Sequence, residues 1–181
     1  MALPATLRKF EIALADSDRE RYEQLDLRVA QHPSESERYL VARVIARALE
    51  HGDGVEFSRG GVSDDEEPAI IQRDLRGDLQ AWIEVGSPSP DRLHKATKLA
   101  PRVVVYAWKN VDQLAAAIAD RGVHRADEIA LRALPPELLD GVAATLDRVN
   151  RWDLSVTGGM LYLAIGTAQF EGAVTPVAIG A

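Results

Sequence analysis

Val103-Val104-Val105-Tyr106 is an unbroken apolar run, and it constrains the fold more than any other segment. A strand that is apolar on both sides is covered on both faces, as happens at the centre of a sheet that carries helices. Upstream, Leu79 to Val85 reads as a second strand. Ser89-Pro90 then opens a helix to about Ala100, the serine suited to capping it and the proline to its first turn. Strand, helix, strand in this order implies a right-handed parallel crossover, so the centre of the sheet lies here.

The remaining segments extend that picture. Phe10, Ile12 and Leu14 alternate, as do Leu25, Leu27 and Val29 after the charged turn Asp16 to Arg19, which predicts a hairpin. Ser34 and Glu37 have the spacing of a capping box and place a helix start near Glu35, with Leu40, Val41, Val44, Ile45, Ala48 and Leu49 forming its apolar stripe up to Gly52. Val55 to Ser58 reads as a short strand, and Ala69 to Asp74 pairs with Leu79 to Val85 around Arg76-Gly77-Asp78, a tight turn. A helix over Val111 to Ala119, a strand over Ile129 to Leu134, a helix from Pro135-Pro136 and a closing hairpin around Gly158-Gly159 complete the chain. The expected fold class is α/β, a mixed central β-sheet flanked by helices, in a single domain over residues 1–181.

Composition removes several function classes. The 181 residues are 46% hydrophobic and 27% charged, a balance that buries a real core. There is no cysteine, which excludes a disulfide framework, a thiolate zinc site and a catalytic thiol, and suits the cytoplasm. No apolar stretch reaches the ~18 residues of a membrane span. A net charge of −7 disfavours gripping nucleic acid over the whole surface. It leaves room for a local stripe: Arg92, Lys95, Lys98, Arg102 and Lys109 follow one another with no acid between Arg92 and Lys109. The bland reading of that stripe is a solvated helix face.

Glu84 is the residue most in need of a chemical reason. It lies within Trp82-Ile83-Glu84-Val85, on the strand face shared by Gln80, Trp82 and Gly86, near the carboxyl end where open α/β sheets place their sites. A carboxylate buried there must be paired, protonated or metal-bound. The acidic run Asp64-Asp65-Glu66-Glu67 enters the neighbouring strand, so Asp65 or Glu67 converging with Glu84 would give an oxygen-ligand set suited to magnesium. A solvated loop is the commoner fate of four successive acids. Glu35 is a further candidate, although the dipole at a helix start already accounts for an acid there. His32, just before Glu35, reads as a general base or, more blandly, as a loop histidine; the other histidines, His51, His94 and His124, lack metal-ligand spacing, and neither a phosphate-binding glycine loop nor a Gly-x-Ser-x-Gly elbow is present.

His32-Pro33-Ser34-Glu35, Asp64 to Ile70, Trp82 to Gly86 and Val103 to Tyr106 together resemble the YaeQ family, in the same order along essentially the whole chain. The resemblance implies a restriction-endonuclease-like core, a variant of the PD-(D/E)XK fold, whose acids hold magnesium or manganese while a lysine helps the attacking water. Carried over, Glu84 matches the second acid and Pro68 the proline of that motif. Ala69 stands where it asks for aspartate, and Gly86 where it asks for lysine. On this reading Asp65 or Glu67 replaces the lost acid beside Glu84 as metal ligand, Glu35 assists, and Lys95 supplies the displaced positive charge. Arg92, Lys98 and Arg102 would then contact phosphates of DNA or RNA. The rival expectations are a catalytically inactive descendant that binds nucleic acid or a transcription or repair partner, and a small-molecule enzyme reusing the same carboxylates.

Overall fold

The computed structural model describes residues 4–59 and 66–180, which divide into two compact units. The first comprises the chain up to Leu49 together with Pro135–Val174; the second comprises Glu50–Leu134 and Thr175 onward.

In the first unit, β1 (Thr6–Asp16) and β2 (Arg21–Gln31) form the expected hairpin, with eleven residues in uninterrupted antiparallel register. Alternation buries Phe10, Ile12, Leu14, Leu25 and Val29 on one face. β1 also pairs in parallel with β8 (Val149–Thr157), which continues antiparallel into β9 (Met160–Ile165) and β10 (Ala168–Ala173). The result is a five-stranded mixed sheet in the order β10-β9-β8-β1-β2, with the Phe10 ring edge-on to Trp152 at 5.0 Å. Helices α1 (Glu37–Leu49) and α4 (Pro136–Ala143) belong to the same unit, and every residue of α1 from Leu40 to Leu49 is buried.

One detail of α1 differs from the sequence expectation. Its cap is Ser36, whose Oγ accepts the amide of Tyr39 at 3.2 Å while its carbonyl accepts that of Leu40. Ser34 is occupied two residues earlier, 2.6 Å from the ring of His32. The helix therefore starts at Glu37, and Glu35 lies in the turn before it rather than in the first helical turn.

The second unit holds the parallel crossover. β5 (Leu79–Val85) and β6 (Arg102–Ala107) run parallel, joined by α2 (Pro90–Leu99), with Ser89 accepting the amide of Arg92 at 3.2 Å as its cap. β3 (Val55–Phe57) and β4 (Ile70–Arg73) add antiparallel strands on one side of β5. On the other side of β6 come β7 (Ala130–Ala133), parallel, and β11 (Thr175–Val177), antiparallel. The order is β11-β7-β6-β5-β4-β3. Trp82, Val103, Val105, Ala107 and Leu131 on one face pack against Leu93 and Ala96 of α2 and against Leu114, Ala115 and Ile118 of α3 (Val111–Arg121).

The fold class is thus mixed α/β, as expected, but the strands form two mixed sheets instead of one central sheet. The cause is the pairing of β1 with β8, which draws the first hairpin and the last strands into a sheet of their own. β10 and β11 lie beyond the hairpin that the sequence signals at the end of the chain. Among the described residues no helix is long and apolar enough to cross a membrane.

Candidate functional site

Glu84 lies one residue from the carboxyl end of β5, on the face that carries Trp82 and the α2 packing cluster. Only 4% of it is exposed. Its Oε1 accepts from the indole Nε1 of Trp82 at 2.7 Å and from Nε of Arg92 at 2.5 Å. The guanidinium of Arg92 also lies over the Trp82 ring, 5.7 Å from its centroid, a cation–π arrangement. Burial pushes the Glu84 carboxyl above its ordinary range, against the pull of Trp82 and Arg92.

Around this centre the expected site residues separate into several settings. Continued by one residue beyond the start of β4, the register Ile71–Trp82 and Ile70–Ile83 would bring Ala69, which is buried and has no side-chain donor atom, opposite Glu84. Glu67 reaches the centre through its backbone: its carbonyl accepts from Nη2 of Arg92 at 2.5 Å. Glu67 also lines a cavity of about 270 Å³ with Glu56, Ser58, Arg59, Ile71 and Arg73. Lys95, expected to supply a displaced charge at the reaction centre, bonds Glu66 at 2.6 Å on the exposed side of α2. Gly86, at the motif's lysine position, has a φ of +97° and donates its amide to the Tyr106 carbonyl at 2.8 Å. Asp65 lies outside the described residues.

Glu35 belongs to the other unit. Its side chain is fully buried; Oε2 accepts from Nη2 of Arg43 at 2.9 Å and from the amide of His32 at 3.2 Å. Oε1 is buried without a hydrogen-bond partner. Burial raises this carboxyl as well, with Arg43 acting against the rise. Of the three arginine and lysine positions expected at phosphates, Arg92 is turned to Glu84, and Arg102 bonds Glu50 at 2.6 Å. Lys98 stands exposed in the last turn of α2.

Glu50 is a buried acid that the sequence does not single out. It is 4% exposed, and beyond Arg102 it accepts the Tyr106 hydroxyl at 2.6 Å. Burial works against its ionisation, but the bonds from Arg102 and Tyr106 and the nearby charge of Arg132 outweigh it and hold the carboxyl below its ordinary range. Arg132 lies over the Tyr106 ring at 5.9 Å. Tyr106 follows Val105 on β6 and so projects to the sheet face opposite that of Glu84. Its partner acid precedes it by 56 residues, too far for spacing to signal the pair.

Comparison with known proteins settles the family. The sequence model described as YaeQ protein matches residues 1–174. The chain belongs to the YaeQ family. The YaeQ protein of Escherichia coli K12 is 28% identical over 173 residues, covering 91% of each chain, and that of Salmonella typhi is 34% identical over 110 residues, 61% of this chain and 60% of the relative. Two solved YaeQ structures share the architecture. The one from Pseudomonas syringae has a TM-score of 0.89 at 29% identity over 98% of both chains. The one from Xanthomonas axonopodis pv. citri has a TM-score of 0.84 at 30% identity, covering 96% of this chain and 97% of that one.

A divalent cation fits the described residues of this YaeQ chain poorly. Among them no group of three or more histidine and acidic side chains is placed to hold a metal ion. Oε1 of Glu84 is engaged by a guanidinium and an indole N–H, both of which favour an anion.

Proposed function

We propose that this protein keeps a restriction-endonuclease-like core without its cleavage chemistry and works as a binding protein, a regulator docked on a transcription or repair partner. The observation that carries this reading is the Arg92–Glu84 ion pair, with Ala69 in the adjacent register position. Metal-assisted hydrolysis needs at least two oxygen ligands converging on an open coordination site. Here the central carboxylate is neutralised, and its neighbour across the strands has no donor atom. The acid has become the anchor of α2: Arg92 ties the helix to β5 through Glu84 and to the preceding segment through the Glu67 carbonyl.

The partner class follows from charge. Arg92 and Arg102 serve internal carboxylates, and the chain carries a net charge of −7. Phosphate neutralisation needs unengaged arginine and lysine side chains. A protein surface therefore suits this chain better than DNA or RNA.

Calorimetric titration of manganese into the wild type and Glu84→Gln, followed by nuclease assays on single- and double-stranded substrates, tests the reading. The expected result is no saturable metal binding that depends on Glu84, no cleavage, and at most weak, salt-sensitive association with nucleic acid. Metal binding and cutting by the wild type, both lost in Glu84→Gln, would establish a magnesium-dependent nuclease with a displaced motif instead.

A further inference from the structure

β2 is an edge strand of unusual regularity. Among the described residues it has one neighbouring strand, β1, and its register with that neighbour runs through all eleven residues without a bulge. Edge strands of monomers are blunted by proline, by lysine, by bulges or by shortness. Arg21-Tyr22-Glu23-Gln24-Leu25-Asp26-Leu27-Arg28-Val29-Ala30-Gln31 is long and has no proline, lysine or bulge; its charges are Arg21, Glu23, Asp26 and Arg28, and near its end the Ala30 carbonyl accepts from Nη2 of Arg43. Tyr22, Gln24, Asp26, Arg28 and Ala30 are all exposed along it. On the inward side Leu25 and Val29 are buried, but Leu27 between them is only half-covered, although it pairs with the fully buried Phe10.

We infer that β2 pairs antiparallel with β2 of a second copy of this chain, about a two-fold axis at Leu27, joining the two five-stranded sheets into one. The side-chain pattern selects this register. Antiparallel partners must present the same face, so only pairings that match exposed with exposed residues are allowed. With Leu27 opposite the partner's Leu27, Asp26 faces the partner's Arg28 and Arg28 faces the partner's Asp26. Leu25 meets the partner's Val29, and Gln24 meets the partner's Ala30. Moving the axis by one residue sets Asp26 against the partner's Asp26, which is repulsive. The chosen register thus places opposite charges together twice, completes the cover of the half-exposed Leu27 and continues the apolar row that begins at Phe10. Asp26, already 3.3 Å from Lys9 of its own chain, would be shared between Lys9 and the partner's Arg28. The interface is isologous and closes, so it makes a dimer and no filament.

Sedimentation velocity across a concentration series, with circular dichroism as a folding control, tests this on the full chain. The wild type should show twice the chain mass at high concentration. Arg28→Asp and Asp26→Arg should each weaken the dimer by about tenfold or more, because each sets like charges against one another at both pairs. The double variant Asp26→Arg/Arg28→Asp should restore it. An equimolar mixture of the two single variants should form heterodimers, since one chain then carries arginine at both positions and faces aspartate at both positions of the other. A wild type that stays monomeric overturns the proposal, and so does a dimer indifferent to Arg28→Asp, which would place the contact elsewhere. A single variant that fails to fold is set aside in favour of the charge-swapped double, whose monomeric behaviour would equally overturn it.

Discussion

Glu84 and Glu50 are buried to the same degree in one unit, yet their carboxyls are displaced in opposite directions. Burial opposes ionisation in both. At Glu84 it prevails over one guanidinium and one indole. At Glu50 two short bonds, from Arg102 and Tyr106, together with the charge of Arg132 prevail over it.

This difference fixes the sign of two pH effects. Because the Glu50 carboxyl lies below its unfolded value, its contribution to stability is present above the ordinary carboxylate range and is lost as pH falls through the folded pKa. The Glu84 carboxyl lies above its unfolded value, so its contribution is greatest at acid pH and is lost as pH rises through the folded pKa. Urea midpoints measured from pH 3 to 8 should therefore fall less steeply toward acid in Glu50→Gln than in the wild type. In Glu84→Gln they should decline less between the ordinary and the raised carboxylate value.

The Arg92–Glu84 pair predicts a second asymmetry. Arg92→Ala leaves a buried carboxylate unpaired and should cost about 3–5 kcal/mol, the usual penalty for removing one partner of a buried pair. Arg92→Ala/Glu84→Gln removes the stranded charge as well and should recover part of that loss. Chemical denaturation of the single and double variants measures the difference. Equal losses in the two would mean that Arg92 acts through its packing on Trp82 and its bond to the Glu67 carbonyl, and not through the charge of Glu84.

The parts of this fold legible in the sequence are those set by neighbouring residues. The β5-α2-β6 crossover is signalled by an apolar run, a serine cap and a proline close together in the chain, and each element forms where those signals place it. Glu84 is legible as an acid inside an apolar strand. Its partner is not, because an arginine eight residues later on a helix looks like any solvated cation until the crossover brings it back over Trp82. The second sheet is hidden for a similar reason: nothing local in β1 reveals that its parallel neighbour begins at Val149. The helix start beside Glu35 is misplaced by two residues, since Ser34 and Ser36 both have capping chemistry and the choice falls to Ser36 once His32 engages Ser34.

That choice is measurable. Ser36→Ala removes the acceptor for the Tyr39 amide and should lower stability by about 1 kcal/mol, as loss of a helix cap does. Ser34→Ala loses only an exposed contact to the His32 ring and should change stability by a few tenths at most. Thermal or urea unfolding of the two variants separates them, and a larger loss in Ser34→Ala would return the cap to the earlier serine.

α4 offers a test of packing in the first unit. A Cβ added at Gly141 would stand 2.6 Å from Cδ1 and Cε1 of Phe170 on β10, closer than side-chain carbons pack. The glycine lets the ring lie against the helix backbone, so its value here is size and not backbone freedom. Gly141→Ala should therefore destabilise by about 1–3 kcal/mol through overpacking, even though alanine is the better helix former. Phe170→Leu removes the ring and opens room for the new methyl group. In the double variant the two costs should fall short of their sum, because the contact that makes Gly141→Ala unfavourable is gone. A double-mutant cycle measured by urea denaturation reads that coupling directly. Strict additivity would mean that Phe170 turns aside without cost and that the helix and strand are not held together by this ring.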